Sequence, residues 1–368
     1  MTLTHYSWLL LWLFLGGTLL SKMPRRREIL EDRVARRWGI LPAVLLVLPY
    51  VIWAGFRPNG FGDTTLYRNG FLNAEGSLEA AWEILIGGSK DVGYYSMRSV
   101  LKMLIGENDV LFFLLVAGFQ IFGMAWVYRK YARDYWLCIF LFIASTDYLS
   151  WVHNGLRQFI AVIIIFTAFP LMLRRRFIPL VALILLASTI HGSALLMLPV
   201  VFIVQGHAWN AKTLVTLLLT GVLMAFVEQF TPILSELLME TQYDDVMTGA
   251  IWANDDGTNI IRVLVYSIPA LMSLVGFKYI RQANDPVINI CVNCSIVTVA
   301  CYLVSTVTSG IYIGRLPIYT TLQGYIVVPW IIDNVFDKRS AKLVKLLLIG
   351  GFSAFFCYQT FVIWRLKV

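Results

Sequence analysis

The sequence predicts an all-α, polytopic integral membrane protein, and three observations lead to that class. Apolar residues make up 58% of the 368-residue chain and charged residues 14%, with a mean hydropathy of +0.72. A soluble domain of this length is nearer half apolar and a quarter charged. The bias is spread along the whole chain, in about twelve apolar runs long enough to cross or enter a bilayer. Trp38, Trp53, Trp126, Trp136, Trp151, Trp209, Trp330 and Trp364 stand at the ends of these runs, as an aromatic belt does. The expectation is one membrane domain over residues 1–368.

The runs fall near 6–20, 39–56, 108–128, 135–150, 157–173, 177–190, 192–204, 213–229, 261–278, 287–308, 316–335 and 345–364. The first has no Lys or Arg before it and no small-residue cleavage site after it, so it reads as a retained helix and not a signal peptide. Lys22, Arg25, Arg26, Arg27, Arg33, Arg36 and Arg37 crowd the loop at about 21–38, which places that loop in the cytoplasm and the N-terminus outside. Alternating onward, the other cytoplasmic loops, at about 129–134, 173–177, 278–286 and 336–345, are also basic.

The stretch 177–204 decides the parity. As one straight helix it would be about 42 Å long, against a hydrocarbon core of about 30 Å. A single crossing would also put the later basic loops outside. The sequence therefore predicts a break at His191-Gly192-Ser193, close to the outer face, and both termini extracytoplasmic. Most acidic residues then fall outside. The net charge of +8 is thus a consequence of topology, which removes the case for a nucleic-acid partner.

Three extracytoplasmic loops are expected, at about 57–107, 230–260 and 309–315. The first begins with turn residues (Pro58-Asn59-Gly60-Phe61-Gly62) and continues as short amphipathic helices resting on the membrane surface. Leu78, Trp82 and Leu85 share one helical face, and Tyr94, Tyr95 and Leu101 lie on a second segment. The second loop is acidic (Glu236, Glu240, Asp244, Asp245, Asp255, Asp256) and suits a lid or a solvated loop.

Several function classes drop out. There is no Walker A motif, no G-x-G-x-x-G and no zinc-ligand spacing. Cys291-x-x-Cys294 has redox spacing without a βαβ context and reads as helix packing, as do the other three cysteines. No internal or inverted repeat is evident, which argues against a transporter.

What remains is a set of polar residues gathered at one depth: Arg57, Asp63, Tyr67 and Arg68 after the second run, Asp147, Asn154, Arg157 and Gln158 at the corner between the fourth and fifth, His191 and Ser193 at the break, and Arg315 before the eleventh. Such residues are costly at a bilayer without a task. Arg157 in the first turn of a helix, with Asn154 placed to cap it, would make an anion site; the alternative is an interfacial, snorkelling arginine. Asp63 is either a helix N-cap or a carboxylate sharing a face with Tyr67. His191 is either a structural histidine or a base for a hydroxyl proton, and Arg315 either an interface anchor or a second phosphate contact. Tyr312 and Tyr319 suit sugar stacking or the aromatic belt. His5, His153 and His207 read as structural.

At these residues the chain resembles the EpsG family of exopolysaccharide and O-antigen polymerases, the Wzy type. The resemblance rests on Arg57 through Gly62-Asp63 to Tyr67, on Asn154-x-x-Arg157-Gln158-x-x-Ala161, on Ala187-x-x-x-His191-x-Ser193-Ala194-Leu195, and on the late Arg315. It is closest over residues 6–205. It implies a multi-helix glycosyltransferase, compatible with a GT-C-like arrangement, in the cytoplasmic membrane of a bacterium. It also implies polyprenyl-pyrophosphate-linked (undecaprenyl type) oligosaccharides as donor and acceptor, and a chain-length-regulating co-polymerase as partner. Catalytic roles fall on Arg157, His191 and Asp63, and substrate contacts on Arg57, Tyr67, Asn154, Gln158, Ser193 and Arg315. No cofactor is expected, and no metal, since the sequence lacks an Asp-x-Asp. A flippase for lipid-linked sugars and a membrane O-acyltransferase acting on glycans are the competing readings.

Overall fold

The computed structural model describes residues 6–30, 33–88, 90–226, 257–310 and 313–366. It is overwhelmingly helical, with a single small hairpin among the described residues. The chain divides into two compact units: residues 1–169, 186–191 and 338–368 in one, and 170–185 and 192–337 in the other.

The first unit begins with α1 (Ser7–Leu20), followed by strands β1 (Arg26–Leu30) and β2 (Arg33–Arg37) and by α2 (Ile40–Gly55). The hairpin is antiparallel, with Arg26 opposite Arg37 and Arg27 opposite Arg36. The sequence reading had only a basic loop here. Tertiary contacts hold the hairpin: Arg37 donates to the carbonyl of Arg129 at 3.0 Å, and Arg129 pairs with Glu28. Three short helices follow, α3 (Thr64–Leu72), α4 (Leu78–Ile86) and α5 (Val92–Ile105), and then the long α6 (Asp109–Tyr131). At 14 residues or fewer, the three short helices reach no more than about 21 Å. Leu78, Trp82, Leu85 and Ile86 of α4 are exposed while Ala80 and Ala81 pack inward, the one-sided pattern the sequence predicts.

α2 packs along α6, α6 along the later α8 (Leu156–Thr167), and α1 against α2 and α7 (Tyr135–Ala144). Ring donors stitch these helices to backbone carbonyls. Trp12 reaches Leu46 and Trp136 reaches Leu13, both at 2.8 Å, and Tyr135 reaches Ala43 at 2.9 Å. Buried Trp and Tyr need such partners, and a helical carbonyl has a second lone pair to offer.

The apolar run at 135–150 is not one straight helix. α7 stops at Ala144, Thr146 takes a left-handed φ of 70°, and the chain resumes as a π-helical turn over Tyr148–Asn154, bent by 69°. This turn carries the polar corner. Tyr148 donates to the Tyr50 carbonyl at 2.7 Å, and Trp151 to Asp147 at 3.1 Å, which anchors the turn from both sides. The break predicted near residue 191 is present: α10 (Phe177–Ile190) gives way to a 3-10 turn (Gly192–Leu196) and α11 (Met197–Ile203); the short α9 (Phe169–Leu173) precedes them.

The second unit continues with α12 (Ala211–Ala225), α13 (Ile260–Val275), α14 (Phe277–Ala283), α15 (Pro286–Thr306) and α16 (Ile318–Val335). α15 lies at its centre, against α12, α13 and α16. Two asparagines in this apolar helix have a structural task. Asn289 accepts from the Ala208 amide at 3.1 Å. Asn293 accepts from Trp209 and donates to the carbonyls of Val204 and His207, each at 3.0 Å. They replace the hydrogen bonds that the irregular stretch at 204–209 would otherwise lack. Cys291 and Cys294, on the same helix, are buried free thiols, as the packing reading expects. The last helix, α17 (Lys338–Cys357), returns to the first unit and packs on α7, where Lys345 pairs with Asp134.

Among the described residues three helices are long and apolar enough to cross a membrane, Asp109–Tyr131, Pro286–Thr306 and Lys338–Ile363, or five if each of two bent pairs is one span. Six further apolar helices are shorter. The acidic stretch expected to act as a lid or solvated loop lies, over 227–256, outside the described residues, as do His5 and Tyr312.

Candidate active site

Five of the residues singled out from sequence meet in the first unit. Gly62 starts the arrangement. Its φ is +54°, and a Cβ there would sit 1.5 Å from Oδ1 of Asn154. Glycine is therefore required twice over, for the backbone angle and for the close approach. The approach lets Asn154 Oδ1 accept from the Asp63 amide at 3.1 Å, while the Asn154 carbonyl accepts from the Tyr67 hydroxyl at 3.0 Å. Asn154 thus joins the π-helical turn to α3. This corrects one expectation: the N-cap position of α8 is Gly155, with no side-chain cap, and Asn154 spends its oxygen on Asp63. Asp63 stands at the N-cap position of α3 without a side-chain capping bond, which leaves its half-buried carboxylate beside Tyr67.

Arg57 is 2% exposed. It donates to the carbonyls of Ala54 and Val152, the latter at 2.9 Å, and its guanidinium lies 4.3 Å over the Phe113 ring. Its Nη2 is buried with no hydrogen-bond partner among the described residues. Burial pulls its pKa down to about 10, with Arg68 adding to that and Tyr148 and Tyr67 opposing it. The group therefore remains a cation near neutral pH. A cleft lined by Tyr6, Trp53, Arg57, Phe61, Tyr148 and His153, among others, opens beside it. His153 packs edge-on against Phe61 and Tyr148, in keeping with a structural role.

Arg157, in the first turn of α8, is held differently. Its Nη1 donates to Asp91 Oδ2 at 2.6 Å and to the Tyr95 hydroxyl at 3.2 Å, and it also hydrogen-bonds Tyr67. Burial raises the Tyr67 pKa, Asp63 raises it further, and Arg157 works against both. Gln158 is buried beside Arg157.

His191 ends α10, half-buried. The last turn of α10 touches α5: a Cβ on Gly93 would lie 2.2 Å from Thr189 Oγ1 and 3.1 Å from the Thr189 carbonyl carbon. His191 is thus two residues from a contact whose other side is two residues from Asp91. Ser193 and Arg315 belong to the second unit. There Ser193 is buried and hydrogen-bonds Tyr319 at 3.1 Å, and Arg315 is exposed in a 3-10 turn.

Sequence reasoning missed Asp91 and Tyr95 as partners of Arg157. It also missed Asp109, which pairs with Arg68, and Phe113. A signal for Asp91 was present: Gly87-Gly88 followed by an Asp before an amphipathic run is a turn and an N-cap. For Phe113, one aromatic in an apolar helix, there was none.

A protein-family model described as the EpsG family matches residues 40–365, nearly the whole chain. Comparison with curated proteins and with solved structures gives no match.

Proposed function

The chain belongs to the EpsG family, and on that premise we propose that it is a polysaccharide polymerase of the bacterial cytoplasmic membrane. It joins polyprenyl-pyrophosphate-linked oligosaccharide repeats at the outer face and releases polyprenyl pyrophosphate. The accompanying topology has about twelve membrane segments, reentrant or bent ones included, with both termini outside.

The observation that carries the reading is the convergence of Asp63, Tyr67, Asn154 and Arg157 into one hydrogen-bonded cluster, with Arg57 bonded to the Val152 carbonyl of the same π-helical turn that carries Asn154. In the reaction an acceptor hydroxyl attacks the anomeric carbon of the donor's reducing-end sugar. The bond from that carbon to the pyrophosphate oxygen breaks, and the electron pair leaves with the pyrophosphate. Negative charge grows on the leaving group, so fixed arginines stabilise the transition state more than the ground state. Arg57 and Arg157 supply that charge. The hydroxyl proton goes to His191 or Asp63, both within this unit. The substrate-binding roles expected of Ser193 and Arg315 are tested separately, each by the glycan chain length of its alanine variant.

Arg157→Ala provides the main test. Loss of one such donor reduces turnover by about 10²–10³. Cells carrying only this variant should accumulate single repeats on the lipid carrier at the outer leaflet, read from glycan chain length and carrier-linked intermediates. Repeats piling up on the inner leaflet would instead identify a flippase. Unchanged chain length with lost acetyl incorporation would identify an acyltransferase.

A further inference from the structure

We propose that Asp91 is the positioning residue for Arg157: its buried carboxylate fixes one edge of the guanidinium and leaves the other turned to the substrate's pyrophosphate. The inference rests on the polymerase reading and names a residue that neither the family resemblance nor the sequence motifs include.

The geometry is asymmetric. The Asp91 side chain is 4% exposed and that of Arg157 is 29% exposed, so the carboxylate is the enclosed half of the pair. Asp91 and Tyr95 together account for both hydrogens of Nη1. Neither group engages Nη2 or Nε, and the Arg157 side chain is the more exposed of the pair. A guanidinium whose Nη1 is held by a carboxylate and a phenol hydroxyl is restrained about its last torsions, so its remaining donors keep one direction.

The backbone around Asp91 is built to hold it there. Asp91 has a left-handed φ of 54°, uncommon for a residue with a side chain. Two residues on, Gly93 leaves just enough room for Thr189. The first turn of α5 is thus clamped on the last turn of α10, and one short segment ties Arg157 to the neighbourhood of His191. A carboxylate in this place has two opposed effects. It lowers the positive potential felt by any bound anion, and it keeps the guanidinium aligned for charge that develops in the transition state.

That opposition is the test. Asp91→Asn keeps the shape and removes the charge. The purified variant should bind inorganic pyrophosphate about 3–10-fold more tightly, while glycan elongation in cells falls at least about tenfold. Tyr95→Phe, which removes the other Nη1 partner without changing charge, should shorten chains with pyrophosphate affinity unchanged. If Asp91→Asn weakens or leaves pyrophosphate binding unaltered, or tightens it with chains of normal length, the proposal is wrong; a merely structural role would lower both. Arg157→Ala separates the two levels. Should that variant retain both pyrophosphate binding and chain length, the active-site reading itself fails, whatever Asp91→Asn does.

Discussion

Arg57 bonds the π-helical turn that Arg157 follows, and the two arginines, expected as a substrate contact and a catalytic residue, are held in opposite ways. Arg57 is sealed in, facing two carbonyls and an aromatic ring. Arg157 is partly open and already has a carboxylate. Burial without a counter-ion makes a cation strongly seek an anion, at the expense of stability. Pairing satisfies the charge and converts the arginine into an oriented donor. In the proposed polymerase, that contrast separates attraction from alignment between two residues of one type.

The contrast can be broken most sharply through stability. Arg57→Ala removes two charge-assisted hydrogen bonds to buried carbonyls and the ring contact, a loss of about 3 kcal/mol. The double variant Arg157→Ala/Asp91→Asn, which removes the pair without leaving the enclosed Asp91 carboxylate unpaired, should change stability by less than about 1 kcal/mol. Thermal unfolding of both variants in detergent measures this, and equal losses would erase the distinction.

A smaller effect separates the junction from the arginines it carries. Gly62→Ala must move Asn154 and strain a left-handed residue, at about 2 kcal/mol. Gly60→Ala has a φ of +82° but nothing within 4 Å of the added carbon, so only the strain of about 1 kcal/mol applies. If the two alanines unfold at the same temperature, the Asn154 approach is not what positions the site.

The smallest effect is in pH. Arg57 has a folded pKa of about 10, below the ordinary value of a guanidinium. Below pH 10 both folded and unfolded states hold the proton, so the stability gap between wild type and Arg57→Ala should stay flat from pH 7 to 9. Above pH 10 the unfolded chain binds more protons than the folded one, so wild-type stability rises and the gap widens. A gap that shrank with rising pH would mean the charge is compensated in the folded protein.

Much of this site was legible because its signals are local. A membrane thickness and a run too long for it were enough to find the break near His191, and hydrophobic periodicity was enough to find α4 and α5. The bend at Thr146 had no such signal: a β-branched residue in an apolar run says nothing of a left-handed φ. The β1–β2 hairpin was hidden by its charge, since Arg37 and Glu28 are satisfied by α6 and not by their own neighbours. The bracing role of Asn289 and Asn293 had no local signal either, because the groups they bond lie more than eighty positions away in the chain.

The sequence by itself determined the class of the protein, its family and which polar residues to suspect, because hydropathy, charge sidedness and short motifs are properties of neighbouring residues. Tertiary structure alone decided that Arg157 is bound to Asp91, sixty-six positions away in the chain, and that Asn154 serves Asp63 and not its own helix. Hydrogen bonds and ion pairs are made at about 3 Å, and only the folded path of the backbone says which distant groups come that close.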